Sequence, residues 1–379
     1  MRLIIEPADG VAPVLSAIRR ARKSVEIAIF RFDRKDVEAA LTAAAAKGVR
    51  VTALIAFANR GGERSLRQLE LRFLAAGVIV ARTADDLSRY HGKYILIDRR
   101  VLYLLSFNFT HLDIDHSRGF GVVTSRSNCV REAARLFDAD CTRTPYAPKV
   151  DTFVVSPANS RQALGAFLNR AKKQLLIYDP KISDREMLGI LRERAKAGVE
   201  VRIIGQVSGR ASFEVKKLGG TRLHTRTIIR DRRQAFVGSQ SLRAAELDLR
   251  REVGLVIRDP TAVKKLIDTF ESDWAGTITR NVPVPADAAD AGGALVEGPT
   301  AASAKEIAKA VQVFTKELQP LATTVKKAVR QAVVKAGDDV LHDKDVKVTM
   351  KQVVKEAVKE AVKEAVHDAK GALPRRRAE

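Results

Sequence analysis

The sequence predicts an α/β protein built from two related halves. Three observations carry this: helical patterns roughly 10–15 residues long alternate with short β-branched runs, their order recurs, and a similar polar motif stands late in each half. Helices alternating with strands pack on the faces of a sheet, so each half is expected to be an α/β/α sandwich.

In the first half a helix-like segment, Gly10–Arg22, leads to an apolar run at Ser24–Phe30. A second helix-like segment, Arg34–Lys47, then precedes the strand-like VRVTALIAF at 49–57. The second half repeats this order with Arg161–Lys172, QLLIYD at 174–179, Asp184–Ala197 and VEVRIIG at 199–205. Even the turn recurs, as AAKGVRV and AKAGVEV, where Gly48 and Gly198 close a helix in the left-handed backbone that glycine adopts without strain. Each half continues through a helix, Ser65–Ala76 or Arg210–Leu218, into a two-strand segment, KYILIDRRVLYLLSFN or RTIIRDRRQAFVGSQS. A last strand and helix close each half, GFGVVT with REAARLFDAD and EVGLVIRD with AVKKLIDTFESDW. The expected lobes are residues 1–145 and 146–280.

Composition changes near Gly276 to Pro, Ala, Gly and Asp, so 281–303 reads as a flexible linker. Residues 304–379 read as a charged helical tail in which Val354, Val358, Val362 and Val366 form a stripe flanked by Glu356→Lys359 and Glu360→Lys363 pairs. A stripe without Trp or Phe favours self-association over membrane anchoring.

The 379 residues carry 67 Lys and Arg against 45 Asp and Glu, a net charge of +22. The lobes hold +8 and +11 of that excess and the remainder only +3, so the basicity belongs to the folded halves. It points to polyanionic partners: nucleic acid, anionic membrane or phosphorylated molecules. Cys129 and Cys141 are too few for a disulfide framework and lack zinc-ligand spacing, which fits a reducing cytoplasm. No run approaches the ~20 apolar residues of a membrane span, and MRLIIEPADG develops no signal-peptide core, so membrane contact is expected to be peripheral.

The chemistry is expected at His91, Lys93 and Asp98 in HGKYILID, followed by Ser106 and Asn108 in LSFNFT. The second copy is His224, Arg226 and Asp231 in HTRTIIRD, followed by Ser239 and Ser241 in GSQS. On a strand, residues i and i+2 share a face, so His91 stands beside Lys93 and Ser106 beside Asn108. Asp98 lies seven positions past His91, with opposite parity, and is expected to support backbone. His111 and His116 are read as surface residues.

H-x-K-x4-D with a downstream S-x-N, present twice in a duplicated α/β chain, resembles the phospholipase D superfamily over about residues 1–280. The resemblance implies a pseudo-twofold arrangement of the lobes around one site, with His91, Lys93, Asp98, His224, Arg226 and Asp231 as the catalytic set. One histidine would attack phosphorus and the other serve as acid and then base, with no metal or organic cofactor. Ser106, Asn108, Ser239 and Ser241 would bind the substrate phosphate. An imidazole titrating near ~6.5 suits both histidine roles.

The second motif departs from this pattern, with Arg226 in the lysine position and Ser241 in the asparagine position. Arginine keeps the charge but not the shape of a lysine. Glu252, in RREVG, matches the family's R-E-x-G glutamate and is expected to orient His224. Gly119 takes that place in the first half, leaving Asp113 or Asp115 to serve His91.

The leading expectation is a phospholipase D-like hydrolase or phosphatidyltransferase acting on a phospholipid at a membrane surface. The alternatives are a metal-independent nuclease using the basic rim, and a weakly active or non-catalytic polyanion-binding protein.

Overall fold

The computed structural model describes residues 1–57 and 63–276. The expected linker at 281–303 and tail at 304–379 lie outside the described residues.

Lobe 1 begins with β1 (Arg2–Glu6), α1 (Ala12–Arg20), β2 (Ser24–Ile29), α2 (Lys35–Ala46) and β3 (Arg50–Ile55). There follow α3 (Glu63–Ala75), β4 (Ile79–Arg82), β5 (Arg89–Tyr90), β6 (Tyr94–Ile97) and β7 (Val101–Leu105). The one-turn helix α4 (His111–Asp115), β8 (Ser117–Thr124) and α5 (Ser127–Thr142) complete it.

Lobe 2 runs β9 (Phe153–Val155), α6 (Ser160–Asn169), β10 (Gln174–Ile182), α7 (Arg185–Lys196) and β11 (Glu200–Val207). It continues with β12 (Glu214–Lys216), β13 (Arg222–Leu223), β14 (Arg226–Arg230) and β15 (Gln234–Gly238). Last come α8 (Ala244–Asp248), β16 (Arg250–Arg251), β17 (Val253–Ile257) and α9 (Pro260–Ala275).

The two main sheets have the same plan. One orders its strands β1-β8-β7-β6-β2-β3-β4, the other β9-β17-β15-β14-β10-β11-β12. In both, the early strand pairs are parallel, as β2 with β3 and β10 with β11, and the motif hairpins are antiparallel, β6 with β7 and β14 with β15. The duplication read from sequence is therefore a duplication of topology.

Three apolar layers hold the lobes. Val14, Ile18, Val37 and Leu41 of α1 and α2 pack on the outer face of the first sheet, and Leu164, Leu168, Met187 and Leu191 of α6 and α7 on that of the second. The third layer is common to both lobes: Leu96, Leu104 and Phe120 join Ile229, Val237 and Leu255, with Phe137 of α5 and Phe270 of α9. Phe120 meets Tyr178 edge-on at 5.5 Å, and Tyr178 meets Phe270 at 5.0 Å. A large apolar side chain buried in full contributes about 1.5–3 kcal/mol, so this layer is a strong bond between the lobes.

One expected helix is absent. Residues 210–218 form no helix but the short strand β12, in register with β11 from Arg202↔Glu214 to Ile204↔Lys216. Lobe 1 spends the thirteen residues of α3 before its equivalent strand β4. Lobe 2 has only six residues between β11 and β12, so ASFEVKK is consumed by the sheet edge.

Candidate active site

The segments entering the two histidines are each gripped by the other lobe. β5, just before His91, pairs in parallel with β16, and β13, just before His224, pairs in parallel with the start of β8. The His91 amide donates to the Arg251 carbonyl at 2.7 Å, and the His224 amide to that of Arg118 at 3.2 Å. The residue following each acceptor thus lies beside the opposite lobe's histidine: Glu252 beside His91, and Gly119 beside His224.

Glu252 is accordingly the partner of His91, not of His224 as the sequence suggested. Its Oε2 lies 2.8 Å from His91 Nδ1, and both side chains are buried. The expectation failed because the residues that lead into each closing strand pair with the segment just before the other half's histidine. His224 Nδ1 has no hydrogen-bond partner among the described residues. Gly119 stands where the second lobe has Glu252, and a Cβ there would come within 2.9 Å of Phe107 Cδ1.

Asp113, considered from sequence for His91, instead serves His224, with Oδ2 at 3.4 Å from Nε2. Asp115 pairs with Arg34 at 2.6 Å and with His111 at 3.0 Å. Asp113 is held by the amide of Asn108 at 2.9 Å, the Asn108 carboxamide at 2.6 Å and Arg222 at 2.7 Å. Glu246 repeats this in lobe 2, accepting from the Ser241 amide at 2.7 Å. The sequence carried the signal in the spacing Asn108 to Asp113 and Ser241 to Glu246, but the one-turn helices α4 and α8 that create it were not foreseen.

Lys93 Nζ stands 2.8 Å from His91 Nε2. Arg226 does not copy this: its NH1 donates to the His224 carbonyl at 2.6 Å and its Nε to Ser241 Oγ at 3.2 Å. His91 and Lys93 precede β6, and His224 precedes β14, so the motif begins in the extended approach to each strand.

Ser106 and Ser239, expected as phosphate ligands, both accept from backbone amides, and Ser239 also bonds the Glu252 carboxyl. Ser106 Oγ accepts from the Phe120 amide at 2.9 Å and Ser239 Oγ from the Val253 amide at 3.1 Å. Both hydroxyls pin the closing strand, because the chain turns out of the hairpin there and leaves an amide to satisfy. Asn108 Nδ2 and Ser241 Oγ are engaged with Asp113 and Arg226, so they brace site side chains.

Asp98 and Asp231 lie at the far ends of β6 and β14, away from the histidines, which removes them from the catalytic set. Asp98 accepts from the amides of Arg22, Lys23 and Ser24 at 2.6–3.1 Å, and Asp231 from those of Lys172, Lys173 and Gln174 at 2.7–3.1 Å. Both open a tight turn with two left-handed residues, φ 54° and 48° at Asp98 and Arg99, and 52° and 56° at Asp231 and Arg232. Aspartate tolerates that backbone better than most side chains, so its presence there has a structural cause.

Burial dominates the electrostatics. It pushes both imidazoles well below the ordinary histidine value, and Lys93 and Arg226 add to this at each of them. At His224, Asp113 works the other way and favours the imidazolium. Burial brings Lys93 down to about 7 against the pull of Glu252, and raises Glu252 against the pull of Lys93. Burial opposes ionisation of Asp113, yet His224 and Arg222 hold its carboxyl well below the usual range. Among the described residues no three His, Cys, Asp or Glu side chains cluster as metal ligands, and no helix is long and apolar enough to cross a membrane.

Comparison with known proteins agrees with this architecture. Polyphosphate kinase from Porphyromonas gingivalis superposes with a TM-score of 0.62 at 20% identity, over 72% of this chain and 47% of the kinase. The present chain thus spans about half of that structure. Phosphatidylserine synthase from Haemophilus influenzae Rd KW20 superposes with a TM-score of 0.55 at 11% identity, over 73% of this chain and 86% of the synthase. No curated protein matches significantly. The family described as "Cardiolipin synthase, PLD-like domain" matches residues 14–141 and 164–274, which takes in both lobes and more than half of the sequence. The chain therefore belongs to the phospholipase D-like family, a group of phosphodiester-acting enzymes.

Proposed function

We propose that this protein cleaves a phospholipid phosphodiester through a phosphohistidine on His91, with His224 as the acid and then the base. The observation that carries the reading is the clamp on His91: a carboxylate at Nδ1 and an ammonium at Nε2. A carboxylate acceptor requires the proton on Nδ1, which leaves the Nε2 lone pair as nucleophile.

In the resting site Lys93 occupies that lone pair. An arriving phosphate is a better acceptor for the ammonium, so substrate binding turns Lys93 to a non-bridging oxygen and exposes Nε2. Nε2 then attacks phosphorus as the P–O bond to the leaving group breaks. Burial disfavours the His224 imidazolium in the free site, so His224 takes up a solvent proton as the phosphate anion arrives and adds to the pull of Asp113, and it gives that proton to the departing alkoxide. In the second half a water or an alcohol gives its proton to the now neutral His224 and attacks phosphorus, and the P–N bond breaks. Lys93 and Arg226 supply positive charge where the non-bridging oxygens gain negative charge.

A lipid is favoured by the family matched and by apolar side chains at the site's edge. Leu112 lies next to Asp113 on α4 and is 48% exposed, and Leu249 precedes β16 and is 57% exposed. Phe57, 44% exposed, leaves the end of β3 beside the end of β2, where Phe30 meets His91 at 4.6 Å. Exposed apolar groups beside Arg222 and Arg250 suit a peripheral approach to an anionic bilayer.

The test is headgroup release from mixed phosphatidylcholine and phosphatidylglycerol vesicles, alongside a nitrophenyl phosphodiester and single-stranded DNA, for wild type and His91→Ala. Lipid turnover that falls on the order of 10³-fold or more in the variant supports the reading. His91-dependent cleavage of DNA without lipid turnover would replace lipid by nucleic acid, and turnover indifferent to His91 would remove the mechanism.

A further inference from the structure

We propose that the outer face of lobe 2 carries a second anion site, formed by Arg170, Arg230 and Arg258 around a cavity of about 410 Å³ and fitted to a phosphate dianion. The inference stands apart from the reading of the catalytic site. Arg230 ends β14 at the opposite end from Arg226, roughly 13 Å along the strand at ~3.3 Å per residue.

Arg230 is the built element. It is only 9% exposed, its NH1 donates to the Phe167 carbonyl at 2.8 Å and its NH2 to Gln234 Oε1 at 2.6 Å, and its plane lies 4.3 Å from the Phe167 ring. These bonds fix the fork yet commit two of its five N–H groups. No carboxylate among the described residues forms an ion pair with it, an unusual state for a buried guanidinium. Arg170 and Arg258 line the same cavity, and among the described residues neither side chain has a hydrogen-bonded or ion-paired partner. Burial lowers the proton affinity of Arg230, Asp231 opposes this, and the two neighbouring guanidiniums lower it further. An anion between them relieves that repulsion.

The duplication provides an internal control. Equivalent hairpins and closing strands place Ile97, Val101 and Ser125 of lobe 1 where lobe 2 has Arg230, Gln234 and Arg258. Arg20, the counterpart of Arg170, is bonded to Ser16 at 2.6 Å. Lobe 1 reaches the same topology without this cluster, so the scaffold does not require it.

The charge sets the ligand. Three guanidiniums against Asp151, the one carboxylate lining the cavity, leave two positive charges. A phosphate monoester or inorganic phosphate dianion matches these and suits bidentate arginine, whereas a phosphodiester carries one charge fewer.

Calorimetric titration of the full chain with inorganic phosphate and with glycerol phosphate decides the matter. His91→Ala provides a background in which the catalytic site is altered, and Arg170→Gln/Arg258→Gln removes two unpartnered side chains. Arg258→Ser, the residue of lobe 1, is a milder second variant, with melting curves to verify folding. The expected result is a binding event present in wild type and in His91→Ala, and weakened about tenfold or more by the arginine variants. Preference for inorganic phosphate assigns the free ion, and preference for glycerol phosphate a monoester on an organic carrier. Identical isotherms in all variants overturn the proposal. So does a loss confined to DNA or polyphosphate, which would make the cluster part of a polyanion track.

Discussion

At the level of single residues, function rests on how each buried ionisable group is partnered. Glu252 reaches His91 Nδ1 from the other lobe, and in the proposed mechanism it fixes the tautomer, so Glu252→Gln is expected to lower kcat by about 10²-fold or more with KM little changed, as steady-state kinetics on the vesicle substrate will show. Lys93 is brought down to about 7 by burial, and in the proposed mechanism its charged form binds phosphate. The rate constant kcat/KM, which reports free-enzyme ionisations, should therefore fall as pH rises through about 7, and Lys93→Arg should move that fall to higher pH. Glu6 is a different case: fully buried, its carboxyl is raised by burial to about 8 against the opposing pull of the Gly10 amide. A raised folded-state value favours the fold fully below about 4.5 and loses that contribution as pH climbs through about 8. Glu6→Gln should consequently match wild type in melting temperature near pH 5 and exceed it at pH 9.

At the level of elements, the hairpin aspartates separate structural from chemical roles. Asp98→Ala removes an acceptor shared by three amides and should cost about 2–3 kcal/mol by denaturant unfolding, while kcat per folded molecule stays near wild type. A collapse of kcat at unchanged stability would return Asp98 to the catalytic set. These elements were largely legible in the sequence. Gly48 and Gly198 adopt the left-handed backbone expected, φ 83° and 84°, and the apolar runs became the strands they suggested. What was hidden had two causes. Parity along a strand says which neighbours share a face within a lobe, but His91 and Glu252 are 161 positions apart and meet only through the β5–β16 exchange. Helices α4 and α8, five residues each, fall below the length at which periodicity is visible, and with them went the placement of Asp113 and Glu246.

At the level of the whole molecule, one compact unit contains both lobes, and the layer around Phe120, Tyr178 and Phe270 belongs to neither alone. Thermal unfolding of the lobes is expected as a single calorimetric transition, with two resolved transitions meaning that the common layer binds weakly. The exchange of β5 and β13 makes the active site a property of the assembled pair, and it makes the site unequal. His91 has carboxylate and ammonium partners, whereas among the described residues His224 has Asp113 at Nε2 and no hydrogen-bond partner at Nδ1. The proposed mechanism takes His91 as the nucleophile on this inequality. Its most direct test is to quench turnover, digest the protein at high pH, where phosphohistidine survives, and locate the phosphoryl or phosphatidyl adduct by mass spectrometry. The adduct is expected on the peptide containing His91, present in wild type and absent from His91→Ala, while an adduct on His224 would contradict the account.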